Sequence, residues 1–358
     1  MINDQALAEI RGRVLRELLS ASERQASVLL LGQGGKTALL REAERTLKKR
    51  FFSHYLDLRK VHTPPELFSL QIAGLACAWS LSLEPQSPFD EFLRKHKEKL
   101  DPALKEAADL ILSELEKVKP DQKRLIQTAF SMLEELAKKH KRFFLALDNA
   151  DRLLDLDNFP KVGDIFSLLP RNITFLISSS VDALKPRLQG FTTITLEPLT
   201  KEETSKLVER LAGKQAQKVV DEIISLSSGN AHVVEVLCSG LKQSKDVKTA
   251  FLKELVWRHG RLYQHCDSVY SKAMARARGK SLLHSIMLIL SKEDLKLSEL
   301  ARKLYRSAPV TKSLVERLAG LVEKRDKVFI VKDPLLREWL RLSEHWSDSE
   351  PEQLEVAR

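Results

Sequence analysis

The chain has 358 residues, 43% apolar and 30% charged, with 13 Gly, 13 Pro and only 6% aromatics. That length suits two to three domains, and the composition excludes disordered and fibrous classes. The net charge of +10 is uneven: residues 241–345 hold 23 Lys and Arg against 12 Asp and Glu, leaving the remainder near neutral.

A basic C-terminal third points to an anionic partner such as nucleic acid, the plainer reading being a set of well-solvated helices. Cys77, Cys238 and Cys266 are far apart, with no C-x-x-C pair. Neither a disulfide framework nor a zinc ribbon is available, and a reducing, cytoplasmic interior is expected. The first residues lack a basic region followed by an apolar core, so no secretion signal is read there. The uncharged stretch Leu67–Leu83 contains Gln71 and several serines and is too short for a span. It reads as a buried helix, and no membrane partner is expected.

In chain order, residues 4–22 carry helical apolar spacing, and Ser27–Leu31 (SVLLL) reads as a buried strand ending in glycines. A helical segment, Lys36 to Lys49, follows. Phe51–Leu58 is a strand, a long helical region runs to His140, and Phe143–Asp148 (FFLALD) is the next strand. After a further helical stretch come Ile173–Ser178, a helix, and Thr192–Leu196 (TTITL). Strands alternating with helices predict an α/β fold with a mostly parallel, helix-covered sheet over residues 1–198.

Past Pro198 the strands stop. Thr200 with Glu203 three places on forms a capping box that opens a helix, and an all-α region is expected over 199–278. Residues 279–345 then read as helices Leu282–Leu290, Leu297–Tyr305 and Val310–Leu321, the strand Val328–Val331 after a charged turn, and a last helix with Pro334 in its first turn. Three helices and a short hairpin predict a winged-helix variant of the helix-turn-helix, and residues 346–358 a frayed tail.

The chemistry concentrates in VLLLGQGGKTALL. Gly32, Gln33, Gly34 and Gly35 join strand to helix, where glycines let backbone N–H groups turn toward a phosphate. Lys36 supplies a cation and Thr37 a hydroxyl for Mg²⁺. The loop is two residues shorter than G-x-x-x-x-G-K-[ST]. Two readings follow: two loop residues are missing from the sequence, or the loop is short and cradles phosphate poorly.

Asp148 ends an apolar strand, where a carboxylate holds the Mg²⁺ water shell in P-loop ATPases. The next residue, which polarises the attacking water in such enzymes, is Asn149, and an amide cannot accept a proton. Hydrolysis is therefore expected to be slow or to borrow Asp151. Ser179, with Ser178 next in line, is the candidate for the polar position beside the γ-phosphate called sensor 1 in AAA+ proteins. The rival reading is a helix-capping serine. Arg187 reads as a surface residue before an arginine finger. Gly229 and Asn230 fit either the adenine side of a nucleotide site or a helix–turn–helix junction. In the basic module Arg302, Lys303, Arg306, Thr311, Lys312, Ser313, Glu316 and Arg317, with Lys324, Arg325 and Lys327, are candidates for contacting double-stranded DNA through residues 300–327. The histidines show no H-E-x-x-H or nucleophile-elbow pattern, so metal hydrolase and acyl-transfer chemistry are set aside.

With those residues in place, the chain resembles the archaeal AAA+/STAND-type P-loop ATPase family, relatives of the origin-recognition initiators. GKTALL, LALDNADRL, FTTITLEPLTKEET, SSGNAH and VFIVKDPLLREWL look like its landmarks in order, over roughly residues 5–345. The resemblance implies a P-loop NTPase core, an all-α lid and a C-terminal winged helix, with ATP or ADP between core and lid. By it Gly32, Gln33, Gly34 and Gly35 cradle phosphates, Lys36 neutralises their charge, Thr37 and Asp148 hold Mg²⁺, Asn149 and Ser179 take the remaining catalytic positions, and Gly229 and Asn230 flank the base. Departures are the short loop, Asn149 in place of Glu, and Ala231 in place of Pro. The expectation is an ATP-switched ATPase with slow hydrolysis coupled to DNA binding. The alternatives are a non-hydrolysing DNA-binding regulator or a signalling scaffold with a degenerate loop and a protein partner or a second copy of the chain.

Overall fold

The computed structural model describes residues 4–32, 34–140, 142–180, 182–241, 246–275, 279–318 and 320–343. Gln33 and the expected tail 346–358 lie outside them. Two compact units result, Met1–Glu197 and Pro198–Arg358.

The first unit runs α1 (Asp4–Ile10), α2 (Gly12–Glu23), β1 (Val28–Gly32), α3 (Lys36–Leu47), β2 (Phe52–Asp57), α4 (Pro65–Ser80), α5 (Phe89–His96), α6 (Pro102–Leu115), α7 (Gln122–Lys139), β3 (Phe143–Asp148), β4 (Thr174–Ser178) and β5 (Thr192–Leu196). Its five strands are all parallel, in the order β2-β3-β4-β1-β5. Alternation along each strand divides the core between two faces. Leu29, Leu31, Leu145, Leu147 and Ile177 join a cluster with residues of α4 to α7, whereas Val28, Leu30, Phe144, Ala146 and Leu176 pack with α2 and α3. A sheet covered on both faces needs near-continuous apolar strands, as VLLL and FFLAL provide.

Two local readings change. The single helix expected over 4–22 is broken at Arg11, which is 5% exposed and donates from Nη2 to the Glu197 carbonyl at 2.6 Å. The stretch after Asp148 forms 3-10 turns over Ala150–Asn158 and Ile165–Leu168 instead of an α-helix. The uncharged segment at Leu67 falls in α4, largely buried, and no helix among the described residues is long and apolar enough to cross a membrane.

The second unit comprises α8 (Lys201–Ala212), α9 (Val220–Ser227), α10 (Ala231–Gly240), α11 (Val247–Val256), α12 (Arg261–Ala275), α13 (Lys280–Lys292), β6 (Leu295–Lys296), α14 (Leu297–Lys303), α15 (Ala308–Glu316), β7 (Val322–Arg325), β8 (Val328–Val331) and α16 (Pro334–Ser343). The capping box opens α8, Thr200 Oγ1 accepting from Glu203 N–H at 3.1 Å and Glu203 Oε2 from Thr200 N–H at 2.9 Å. Strand β6, too short to show an apolar run, completes an antiparallel sheet ordered β6-β8-β7. Helix α15 begins two residues before the expected Val310 because Pro309 fits its first turn, where a missing N–H costs nothing.

Candidate functional site

β1 delivers the chain to Gly32, whose φ is +100° and where a Cβ would stand 2.3 Å from the Leu196 carbonyl oxygen of β5. Only glycine fits both the backbone and the space. Gly34 and Gly35 follow at φ +75° and +90°, and α3 begins at once with Lys36. Among the described residues no side chain caps that helix start, so its first N–H groups and the positive end of its dipole face the loop. Lys36 Nζ donates to the Gly32 carbonyl. Burial pulls its ammonium below the ordinary lysine range, with Asp148 and Asp151 opposing, and it makes no ion pair among the described residues. A partly desolvated cation beside unspent N–H groups is a receptor for an anion.

Asp148, at the end of β3, is 1% exposed. Its Oδ2 accepts from Thr37 Oγ1 at 2.7 Å and from Tyr55 Oη at 2.8 Å. Its Oδ1 accepts from the Ser178 hydroxyl and from Asn149 N–H at 3.1 Å. β3 lies between β2 and β4, which explains why Tyr55 and Ser178 converge on one carboxylate. Burial first, then the Asp148 charge and hydrogen bond, push the Tyr55 phenol well above its ordinary value.

The residues drawn from sequence divide accordingly. Gly32, Gly34, Gly35, Lys36, Thr37, Asp148 and Asn149 gather at the carboxyl ends of β1 and β3. Ser179 is buried and its N–H donates to the Leu30 carbonyl at 3.0 Å, tying β4 to β1. The hydroxyl that reaches Asp148 is that of Ser178, one residue earlier, since successive strand side chains point to opposite faces. Asn149 adopts a left-handed φ of +60°, and its amide Nδ2 donates to Asp57 Oδ1 at 3.1 Å. Burial raises the Asp57 carboxyl, but the Arg59 hydrogen bonds, with an ion pair at 2.7 Å, outweigh it and hold it below the usual range. Asp151 Oδ1 is buried and has no hydrogen-bond partner among the described residues. Arg187 pairs with Asp157 at 2.8 Å and lies over the Phe166 ring, a surface role within its own unit.

Gly229 and Asn230 belong to the second unit. At Gly229, with φ +76°, a Cβ would meet the Leu199 carbonyl oxygen at 2.5 Å, and Asn230 Oδ1 caps α10 by accepting from His232 N–H at 3.0 Å. Both have a local structural reason. Among the basic-module candidates, Arg302, Lys303, Arg306, Lys312, Ser313, Glu316, Arg317, Lys324, Arg325 and Lys327 are exposed. Thr311 is buried, bonded to the Ser307 carbonyl at 3.0 Å, and offers nothing to a surface partner. Tyr55 and Asp57 were not read from the sequence. Their signal is polar side chains at i and i+2 where a strand adjoins the Asp148 strand.

No family model and no curated protein matches the chain. Among solved structures, a Walker-type ATPase of Pyrococcus abyssi is similar over 91% of this chain and 94% of its own, at 17% identity and a TM-score of 0.62. The ORC1 protein of Aeropyrum pernix, solved in complex with DNA, is similar over 94% of this chain and 92% of its own, at 15% identity and a TM-score of 0.45. A signal-transduction ATPase with numerous domains from Pyrococcus horikoshii, which carries a tetratricopeptide-repeat sensor, covers 95% of this chain with 43% of its own, at 15% identity and a TM-score of 0.37. The first of these likenesses, with the parallel sheet, establishes an α/β P-loop NTPase fold.

Proposed function

We propose that the protein binds ATP at the Gly32–Thr37 loop and uses slow, Mg²⁺-dependent hydrolysis as a conformational switch for a DNA-contacting module. The observation that carries this reading is the 2.7 Å hydrogen bond between Thr37 and Asp148, which joins the loop hydroxyl to the strand-end carboxylate across 111 residues of chain. A glycine loop alone is a turn. A glycine loop whose following lysine makes no ion pair among the described residues, and whose threonine meets a buried aspartate, is equipped for a metal-bound polyphosphate.

The residues fit Mg²⁺. The donors at this point are hydroxyl and carboxylate oxygens, the hard ligands that ion takes, and the nearby Lys36 also feels the charge of Asp151, whose buried Oδ1 has no hydrogen-bond partner among the described residues. Thr37 and Asp148 would hold it, where it supplies charge neutralisation for the nucleotide's phosphates. Lys36 and the N–H groups of Gly34, Gly35 and the first turn of α3 bind and orient those phosphates. Asn149 and Ser178 fix the Asp148 carboxylate. In the second unit, residues 199–278 form the lid and 279–345 a winged helix whose exposed Arg and Lys side chains meet duplex phosphates.

A second reading is favoured by one observation. Asn149 has its amide tied to Asp57, so no proton acceptor is free at the usual water-polarising position. That supports a switch that works by binding ATP and seldom by consuming it.

An ATP titration comparing the wild type with Lys36→Ala tests the core of the proposal. The expected result is an affinity at least about tenfold weaker, the worth of one charge-assisted contact. Equal affinity would overturn phosphate recognition by this loop.

A further inference from the structure

Helix α14 ends at a residue that its own fold does not favour. Tyr305 N–H donates to the Arg302 carbonyl at 3.2 Å and Arg306 N–H to the Ala301 carbonyl at 3.0 Å. These two bonds define a Schellman stop, whose turning residue must take a left-handed backbone. Glycine takes it freely, but here the position is occupied by Tyr305 at φ +53°. Such a ring is normally kept because it packs, yet Tyr305 is 88% exposed. An aromatic held in a left-handed turn and exposed to solvent is a candidate for contact with a partner.

Its surroundings indicate the use. Arg302, Lys303 and Arg306 flank it in sequence, all exposed, and Lys312 on the next helix and Arg317 just past its end are exposed cations as well. Lys303 is paired with Glu293 and Lys312 lies 4.0 Å from Glu316, while the Arg306 guanidinium donates to the Tyr305 carbonyl. Cations around an outward aromatic ring combine phosphate contact with a stacking platform. Base faces inside a continuous duplex are already covered by their neighbours. A ring on the protein surface can stack where a base is unpaired or a step has been opened, and on a blunt duplex only against the outer face of a terminal pair, so an overhang of several bases offers it more sites.

We propose that Tyr305 stacks on an exposed nucleobase, so that the C-terminal module prefers a duplex with a single-stranded overhang to a blunt duplex. This deepens the DNA-binding reading above and rests on it. The guanidiniums of Arg302 and Arg306 hold the backbone phosphates on either side, and the ring reads the break in stacking.

The test uses the full-length chain and two labelled DNA probes, one blunt duplex and the same duplex with a short overhang, across a salt series. The wild type should bind the overhang probe about tenfold more tightly, and Tyr305→Phe should keep that preference. Tyr305→Ala and Tyr305→Gly should lose it with an unchanged salt slope, because no charge has been removed. Arg302→Ala should weaken both probes and flatten the slope. Tyr305→Gly should also melt at a higher temperature than the wild type, which excludes misfolding as the cause of its loss. Equal binding of both probes by the wild type, or a preference that survives in Tyr305→Ala, overturns the role of Tyr305 while leaving DNA binding standing. No binding to either probe at low salt overturns both, and points to a protein as the partner of this surface.

Discussion

The amide of Asn149 donates to Asp57 at 3.1 Å, and Asp57 is in turn clamped by Arg59 at 2.7 Å. The pair bears on the proposed slow hydrolysis. Asn149→Glu alone sets a second carboxylate against Asp57 in a left-handed backbone that suits Asn better than Glu. The single variant should lose about 1–2 kcal/mol of stability with no gain in turnover. Combined with Asp57→Asn, which removes the repulsion, Glu at 149 is free to act as a base, and phosphate release should rise several-fold over the wild type. A double variant that binds ATP yet turns over no faster would mean that position 149 is not where water is activated.

Thr37 and Tyr55 share one oxygen of Asp148, at 2.7 and 2.8 Å. Their roles are separable. Thr37→Val should abolish most of the Mg²⁺ dependence of ATP affinity, since it removes a proposed ligand. Tyr55→Phe should leave that dependence largely intact and lower stability by about 1–2 kcal/mol, the cost of one hydrogen bond to a buried carboxylate. Calorimetric titrations with and without Mg²⁺, alongside urea unfolding, check both. Equal Mg²⁺ dependence in Thr37→Val and the wild type would remove the threonine from the metal site.

Glycine positions around the loop differ in how far their neighbours can yield. At Gly32 the obstacle is the Leu196 carbonyl at 2.3 Å, a backbone atom in the neighbouring strand. At Gly35 it is the Leu7 side chain at 3.2 Å, which can rotate. Gly32→Ala should therefore cost about 3 kcal/mol or more, combining strain with overpacking, and Gly35→Ala about 1 kcal/mol. Denaturant midpoints at constant slope are the measurement, and similar losses at the two sites would contradict the packing described for β1 against β5.

What the sequence makes legible is whatever is decided locally. The apolar run FFLALD gives β3 its observed bounds, because a doubly covered strand needs apolar residues on both faces and ends at its first charged residue, Asp148. The Thr200 capping box is likewise a contact three residues long. Ser178 and Ser179, by contrast, differ only in which face of β4 they occupy, and that face is set by β1 and β3, strands far away in sequence. The Asp57–Asn149 bond depends on β2 pairing with β3 across four intervening helices, which no local pattern encodes. The break at Arg11 has the same origin: an amphipathic run predicts one helix, and a carbonyl at Glu197 supplies the reason for two.

His54 sets a pH limit on the first unit. Its imidazole stacks on Trp79 at 4.2 Å and meets Phe52 edge-on at 4.7 Å. Burial, with repulsion from Lys48 and His140, pushes it down from 6.5 to about 4. The folded chain thus resists a proton that the unfolded chain accepts. The stability contributed by neutral His54 is whole above about pH 6.5 and is lost as the pH falls from there toward 4. At about pH 5 the loss should be on the order of 2 kcal/mol. Urea unfolding followed at Trp79, with other tryptophans replaced, should show it, and His54→Phe should remove most of the dependence. His232, also pushed down to about 4 by burial, lies in the second unit and leaves a separate acid sensitivity there. If His54→Phe unfolds with the same pH dependence as the wild type under this probe, the imidazole is not held neutral by the aromatic cluster.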